Sequence, residues 1–357
     1  MVVNPAFWRG RRVFLTGHTG FKGGWLSLWL AELGAEVHGY ALAPPTEPNL
    51  FTTAGVEKRL AASTLADIRD AAALERALQA ARPEVVFHLA AQPLVRHSYA
   101  EPVETYSVNV MGTVNLLEAV RRTPGVKAVV NITTDKCYEN REWVWPYREN
   151  EALGGHDPYS SSKACSELVT AAWRRSFLDA AGVQLASARA GNVIGGGDWA
   201  ADRLVPDFLR ALDAGRPLTV RSPQATRPWQ HVFEPLSGYL MLAEKLCAEG
   251  AAFAEAWNFG PDEADARPVQ WIVETLCARQ PGASWERDAA PQPHEAHTLR
   301  LDSAKAHARL GWRPRWNLPR ALEATLDWHR AWREGQDMHA VSLAQITLYG
   351  QQLPDQP

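Results

Sequence analysis

The feature that most constrains this chain is Gly17-His18-Thr19-Gly20-Phe21-Lys22-Gly23, set between a short apolar run and an amphipathic stretch. Residues 11–16 end in Val13-Phe14-Leu15-Thr16 and read as a buried strand. Leu26, Trp29, Leu30 and Leu33 recur at helical spacing, Gly34 stops that helix, and residues 36–40 form a second strand. Glycines at the first turn of such a βαβ unit allow a tight turn and close approach of the backbone to a pyrophosphate. The helix N-terminus behind them offers amide donors and a positive dipole end. Gly17, Thr19, Gly20, Phe21 and Gly23 are therefore assigned to a dinucleotide. His18 and Lys22 either add contacts to its phosphates or are solvated loop residues.

An acidic residue about 20 positions on usually binds the adenosine ribose. Here Tyr40-Ala41-Leu42-Ala43-Pro44-Pro45 offers neither that acid nor an arginine for a 2′-phosphate, which leans to NAD over NADP. Arg59 is a distant cation with no assigned place. Residues 59–66 read as a third strand, followed by Asp67 and Ile68 at the cofactor site. Asp67 either meets an adenine edge or caps the helix at 71–81, and Asp70 suits the cap better. Residues 83–89 form a fourth strand, nearly all apolar, as in a parallel sheet covered on both faces. It ends in Leu89-Ala90-Ala91-Gln92, small residues that leave room for a ligand, with Gln92 assigned to the substrate. His88 reads as a packed, hydrogen-bonded residue. A helix over 101–122 puts Val103, Tyr106, Val110, Val114 and Leu117 on one face. Asn109 inside it needs buried partners.

Strands at 126–133 and 183–189 flank a helix at 159–181. The alternation predicts an α/β fold, a Rossmann-type doubly wound parallel sheet over residues 1–192 with the catalytic residues included. From 193 onward Gly and Pro are dense and elements short, at 205–214, 218–221, 236–249 and 267–278. This predicts a smaller C-terminal substrate-binding lobe over 193–357, with segments that can return to the large domain.

The chemistry is concentrated between Thr133-Thr134-Asp135-Lys136 and Asp157-Pro158-Tyr159-Ser160-Ser161-Ser162-Lys163. On a helix Tyr159 and Lys163 are four apart and share a face. A cation beside a phenol favours phenolate, so Tyr159 becomes a usable base. With a formal charge of -3, nothing argues for a nucleic-acid or anionic-membrane surface, and substrate phosphates must meet local cations. Arg203, Arg216, Arg221, Arg227 and Arg300 are available, with Arg227, beside Trp229, the first choice. Cys137, Cys165, Cys247 and Cys277 lack metal or disulfide spacing, and free thiols fit a reducing cytoplasm. His294-x-x-His297 has no acidic neighbour at metal-ligand spacing, so no metal is expected. The N-terminus lacks the apolar core of a signal peptide, and no run is long enough to span a membrane.

Gly17-x-x-Gly20-x-x-Gly23, Thr134-Asp135-Lys136 and Tyr159-x-x-x-Lys163, in that order, resemble the extended short-chain dehydrogenase/reductases that modify nucleotide sugars. The resemblance runs to about residue 330. The segments 16–23, 133–138, 142–145 and 191–199 are similar to the 4,6-dehydratases of CDP-sugars. Asp135-Lys136 stands where the dTDP-sugar enzymes carry Asp-Glu. The resemblance implies CDP-glucose as substrate, NAD as cofactor and CDP-4-dehydro-6-deoxyglucose as product. Tyr159, poised by Lys163 and Thr134, takes the 4-hydroxyl proton as C4 gives up hydride. Water leaves across C5 and C6 with Asp135 protonating the departing hydroxyl, and the hydride returns to C6. Lys136 either removes the C5 proton as a neutral amine or stays charged and stabilises the enolate. Tyr159 and Lys163 also contact the cofactor, and Asn192 and Arg227 the substrate. Helices 101–122 and 159–181 would pair across a two-fold axis in a homodimer. A C4 epimerase needs the same oxidation but no acid/base pair for losing water. A non-catalytic cofactor sensor needs neither set.

Overall fold

The computed structural model describes residues 3–288 and 298–352. In it β1 (Arg12–Thr16) runs into α1 (Phe21–Glu32), and β2 (Glu36–Ala41) returns parallel to β1, with Val13 opposite Val37. Gly34, at φ +84°, makes the turn between them. A 3-10 turn at Val56–Arg59 shortens the expected third strand to β3 (Ala62–Leu65). Arg59 lies at the surface, paired with Glu32. α2 (Ala71–Ala81) begins at Asp70, whose carboxylate accepts from Ala73 N at 2.9 Å. Then come β4 (Val85–His88), α3 (Pro102–Tyr106), a π-turn (Ser107–Met111) and α4 (Gly112–Arg121). β5 (Ala128–Ile132), α5 (Pro158–Trp173) and β6 (Gln184–Ala190) complete the alternating part. α6 (Leu204–Asp213), α7 (Phe233–Glu249), β7 (Ala256–Phe259), α8 (Val269–Arg279), α9 (Leu318–Arg333) and α10 (Met338–Gln351) follow.

The seven strands form one parallel sheet in the order β7-β6-β5-β4-β1-β2-β3. The order reverses between β1 and β4, and there the strand ends open a crevice. Val85, Val86 and Phe87 on β4 are fully buried, as a strand covered on both faces requires. One face packs Trp25, Leu28 and Leu30 of α1 with Tyr239, Leu240 and Leu242 of α7. The other packs Leu74 and Leu78 of α2 with Leu116 and Leu117 of α4. Each such side chain contributes about 1.5–3 kcal/mol by leaving water. α7 and β7 thus return from the C-terminal half to the main sheet. A separate apolar cluster joins Phe208 of α6, Leu218 and Trp229, Ile272 and Leu276 of α8, and Leu322 of α9. Glu234 on α7 ties the C-terminal segment back, accepting from Arg315 N, Trp316 N and the Tyr349 hydroxyl.

The helix expected over 101–122 is broken by the π-turn, which adds a residue and rotates the face that follows. Leu117 is buried, but Val103 is 81% exposed and Tyr106 faces outward too, so the predicted stripe is not one buried face. Asn109, inside the π-turn, finds its partners in Gln92 N and O and in Ser162 Oγ. His88 is bonded between Thr16 Oγ1 and Thr113 Oγ1, and burial lowers its pKa to about 3. No described helix is long and apolar enough to cross a membrane. His294 and His297 lie outside the described residues.

Candidate active site

A cavity of about 600 Å³ occupies the crevice. Gly17, Thr19, Gly20, Phe21, Lys22 and Gly23 line it, together with Leu89, Ala90 and Ala91 at the end of the neighbouring strand β4. Gly17 sits at φ +82°, and a Cβ there would lie 2.8 Å from Ala90 N. A Cβ on Gly23 would lie 2.0 Å from Gly17 O. Only bare backbone fits, which lets the chain at the start of α1 approach a ligand closely. Gly17→Ala is expected to destabilise the fold by about 1–3 kcal/mol. The check is urea unfolding, with a lower midpoint at unchanged slope.

His18 is a correction. Its side chain does not line the cavity; it lies beneath the loop in the space left by Gly39, with Nε2 2.8 Å from Ser63 Oγ and the ring against Phe51. Burial lowers its pKa to about 4, so it carries no charge for a phosphate. Lys22 does reach the cavity, its ammonium 3.4 Å from the Tyr239 hydroxyl. Burial, with Arg203 and Lys163 nearby, lowers its pKa to about 7.

Tyr40, Ala41, Leu42, Asp67 and Ile68 close the far end. The Asp67 carboxylate is held by Arg69, and that bond outweighs burial in keeping its pKa below the usual range. Gln92 is a second correction. Its amide is tied to Leu94 N, Leu94 O and Thr105 Oγ1, and it does not line the cavity. Its work is to shape the turn after β4.

Thr134, Asp135, Lys136, Tyr159 and Lys163 all line the same cavity. Thr134 leaves β5 in extended conformation and caps a 3-10 turn that turns Asp135 inward. Asp157 caps α5, accepting from Ser160 N, and starts the helix that carries Tyr159 and Lys163. Asp135 Oδ1 accepts from Thr134 Oγ1 at 3.0 Å, while Oδ2 is buried with no hydrogen-bond partner. Burial raises the Asp135 pKa against the pull of Lys136, Thr134, Arg227 and Lys22. A buried carboxyl with one free oxygen is suited to hold and deliver a proton. Gly191 makes room for it: a Cβ there would lie 2.9 Å from Asp135 Oδ2 and 2.5 Å from Pro228 Cγ.

Tyr159 is buried, and this pushes its pKa up to about 12 despite a hydrogen bond with Thr134. The sequence leads us to expect the lysine to set this pKa; in the fold, desolvation is the largest influence. The Lys163 ammonium donates to Ile132 O at 3.2 Å, and burial lowers its pKa to about 8, with Glu167 opposing.

Asn192, Arg203 and Arg227 line the same cavity. Arg203 is paired with the buried Asp198 at 2.8 Å. Arg227 is buried, on a short strand paired with Ala266–Pro268. Arg300 is the third correction: it does not line the cavity, and its guanidinium meets Glu263 at the surface. Its place follows from residue 300 lying beside Tyr147, to which its carbonyl is bonded. Asp198, Gly191 and Glu167 were not singled out from sequence. Glu167 had a usable signal, standing four residues past Lys163 on the same helical face.

A glycine-bearing crevice at the switch point of a parallel sheet, with Tyr-x-x-x-Lys and Thr-Asp-Lys around one cavity, defines an extended short-chain dehydrogenase/reductase. The chain belongs to the GDP-mannose 4,6 dehydratase family, whose model matches residues 14–325. It is 55% identical to a CDP-glucose 4,6-dehydratase of Salmonella typhimurium over 98% of both chains. It is 26% identical to a dTDP-glucose 4,6-dehydratase of Xanthomonas campestris, over 90% of this chain and 94% of that one. Among solved structures, the Thermus thermophilus UDP-glucose 4-epimerase in complex with NAD superposes with a TM-score of 0.76. The identity is 25%, with 89% of this chain and 99% of that one covered. The Bacillus anthracis dTDP-glucose 4,6-dehydratase in complex with NAD shares the fold at a TM-score of 0.74 and 20% identity, over 92% and 99%.

Proposed function

We propose that this protein dehydrates CDP-glucose to CDP-4-dehydro-6-deoxyglucose, with NAD as a cofactor regenerated in each turnover. One observation carries the reaction: Asp135, with its unpartnered Oδ2, shares a single cavity with Tyr159 and Lys163. Oxidation alone needs the tyrosine and lysine; loss of water needs an acid as well. The choice of CDP is supported by the 55% identity to the Salmonella relative.

The bare backbone at Gly17 and Gly23 fits a dinucleotide pyrophosphate, with Asp67, Ile68 and Leu89 to Ala91 along its length. Bound NAD supplies a hydride acceptor that also carries positive charge, the sign that eases proton loss from Tyr159. Tyr159, its phenolate steadied by the Lys163 ammonium, then takes the proton of the sugar 4-hydroxyl. The ketone at C4 acidifies C5–H, Lys136 acts at that proton or on the enolate, and Asp135 protonates the leaving 6-hydroxyl. Asn192, Arg203 and Arg227 hold the nucleotide diphosphate sugar. An epimerase would have no use for a buried acid at position 135.

The protein works as a homodimer in the cytoplasm. Val103, Tyr106 and Met111 around α3 and the π-turn, with Leu168 on α5, are exposed apolar residues that support pairing of these helices.

CDP-glucose deuterated at C4 is expected to give product deuterated at C6, read by mass spectrometry and NMR, with no net consumption of added NADH. Label released to solvent or to free NADH would sink the internal return.

A further inference from the structure

The strand end that carries the chemistry is held residue by residue from α5. Ile132 O accepts from Lys163 Nζ at 3.2 Å. Thr133 Oγ1 donates to Glu167 Oε1. Thr134 bonds Tyr159 and, at 3.0 Å, Asp135. Tyr159, Lys163 and Glu167 stand at successive intervals of four and form one stripe. The proposed reaction uses the first two and leaves Glu167 unused.

Glu167 is 4% exposed and is fully bonded. Oε1 accepts from Thr133 and from Arg189 Nε at 3.0 Å; Oε2 accepts from Ser187 Oγ at 2.6 Å and Arg189 Nη2 at 2.8 Å. Arg189 is fixed from behind by Nη1 bonds to the Tyr138 hydroxyl and Glu149 O. A buried ion pair is poor evidence for stability, since apolar residues of the same volume often serve as well. Two features ask for more than a staple between β6 and α5. One acceptor site goes to the residue next to Thr134, and the carboxylate lies one helical turn from Lys163.

We propose that Glu167, clamped by Arg189, is a positioning residue of the reaction, setting Thr134 and Asp135 through Thr133 and sustaining the ammonium of Lys163. This rests on the dehydratase reading of the site. The charge on Lys163 is governed by few groups. Glu167 faces it from its own helix, where Tyr159 stands one turn earlier, Cys137 from the turn after β5, Lys22 from α1 and His88 from β4. Glu167 is the carboxylate among them that favours the ammonium. Removing its charge also leaves the Arg189 guanidinium unbalanced nearby, and both changes lower the pH at which Lys163 loses its proton.

The test compares kcat against pH for the full chain, Glu167→Gln and Thr133→Val, with CDP-glucose. Glu167→Gln is expected to move the alkaline limb down by about one pH unit. It also lowers kcat about 10–100-fold with KM within about threefold. Thr133→Val keeps the charge, so its limb stays in place while kcat falls about tenfold. A folded Glu167→Gln protein with the unaltered limb overturns the proposal. So does Thr133→Val at full kcat, a result that is read whether or not Glu167→Gln folds. No turnover by the unaltered protein would overturn the dehydratase reading and this proposal with it, an outcome distinct from a variant that behaves like its parent.

Discussion

Asp135→Asn is expected to slow formation of the dehydrated product by about 10²–10⁴-fold, while oxidation at C4 in a single turnover stays within about threefold. The asymmetry follows from the two oxygens of this carboxyl. Oδ1 is occupied by the Thr134 hydroxyl, and an asparagine carbonyl can accept the same bond. Oδ2 is buried and without a partner, so it is the atom free to carry a proton to the leaving hydroxyl. An amide in its place has no proton acidic enough to give. Burial raises the Asp135 pKa against four surrounding donors and cations, which keeps the acid form available at higher pH than an ordinary carboxyl would allow. The measurement is rapid-quench analysis of the 4-keto species alongside absorbance of bound reduced nicotinamide. Reduced cofactor that accumulates without product is the expected signature. Equal loss of both steps would mean that Asp135 serves the oxidation instead.

The readable part of this protein was whatever rests on local pattern. The glycine turn, the alternation of strand and helix and the Tyr159–Lys163 spacing depend on neighbours in the chain. They predicted the Rossmann-type sheet, and the parallel seven-strand order agrees. What local pattern does not carry is side-chain direction. His18 sits in the glycine motif, yet the bare Cα of Gly39 on the next strand draws its ring under the loop. Gln92 follows two alanines at a strand end, yet its amide closes on its own turn through Leu94 and Thr105. Arg300 was one of several arginines, and the aromatic neighbour that favoured Arg227 does not exclude the others from the cavity. Only the fold sets Arg227 on a strand beside Asp135 and Arg300 against Glu263. The π-turn at Ser107–Met111 was equally unreadable, because its extra residue costs nothing in periodicity until the faces are compared.

Tyr159→Phe is expected to lower turnover by at least about 10³-fold, and to do so at the first step, so that neither reduced cofactor nor product appears. The substitution removes one hydroxyl and keeps a buried ring in place. Its cost to stability should be limited to the hydrogen bond with Thr134, about 0.5–1.5 kcal/mol. Loss of activity in a protein that melts near the parent temperature then assigns the hydroxyl to chemistry. The pH profile of the unaltered protein bears on the same residue. Lys163 has a pKa lowered to about 8, so it is an ammonium below that pH and a neutral amine above it. The phenolate formed from Tyr159 needs that positive charge beside it, and burial already opposes ionisation of the phenol. Activity should therefore fall as pH rises through about 8, the opposite of what a tyrosine acting without its lysine would give, since a lone phenol gains base form with every increase in pH. An alkaline limb that climbs instead of falling would separate Tyr159 from Lys163 and leave the shared helix face without a catalytic purpose.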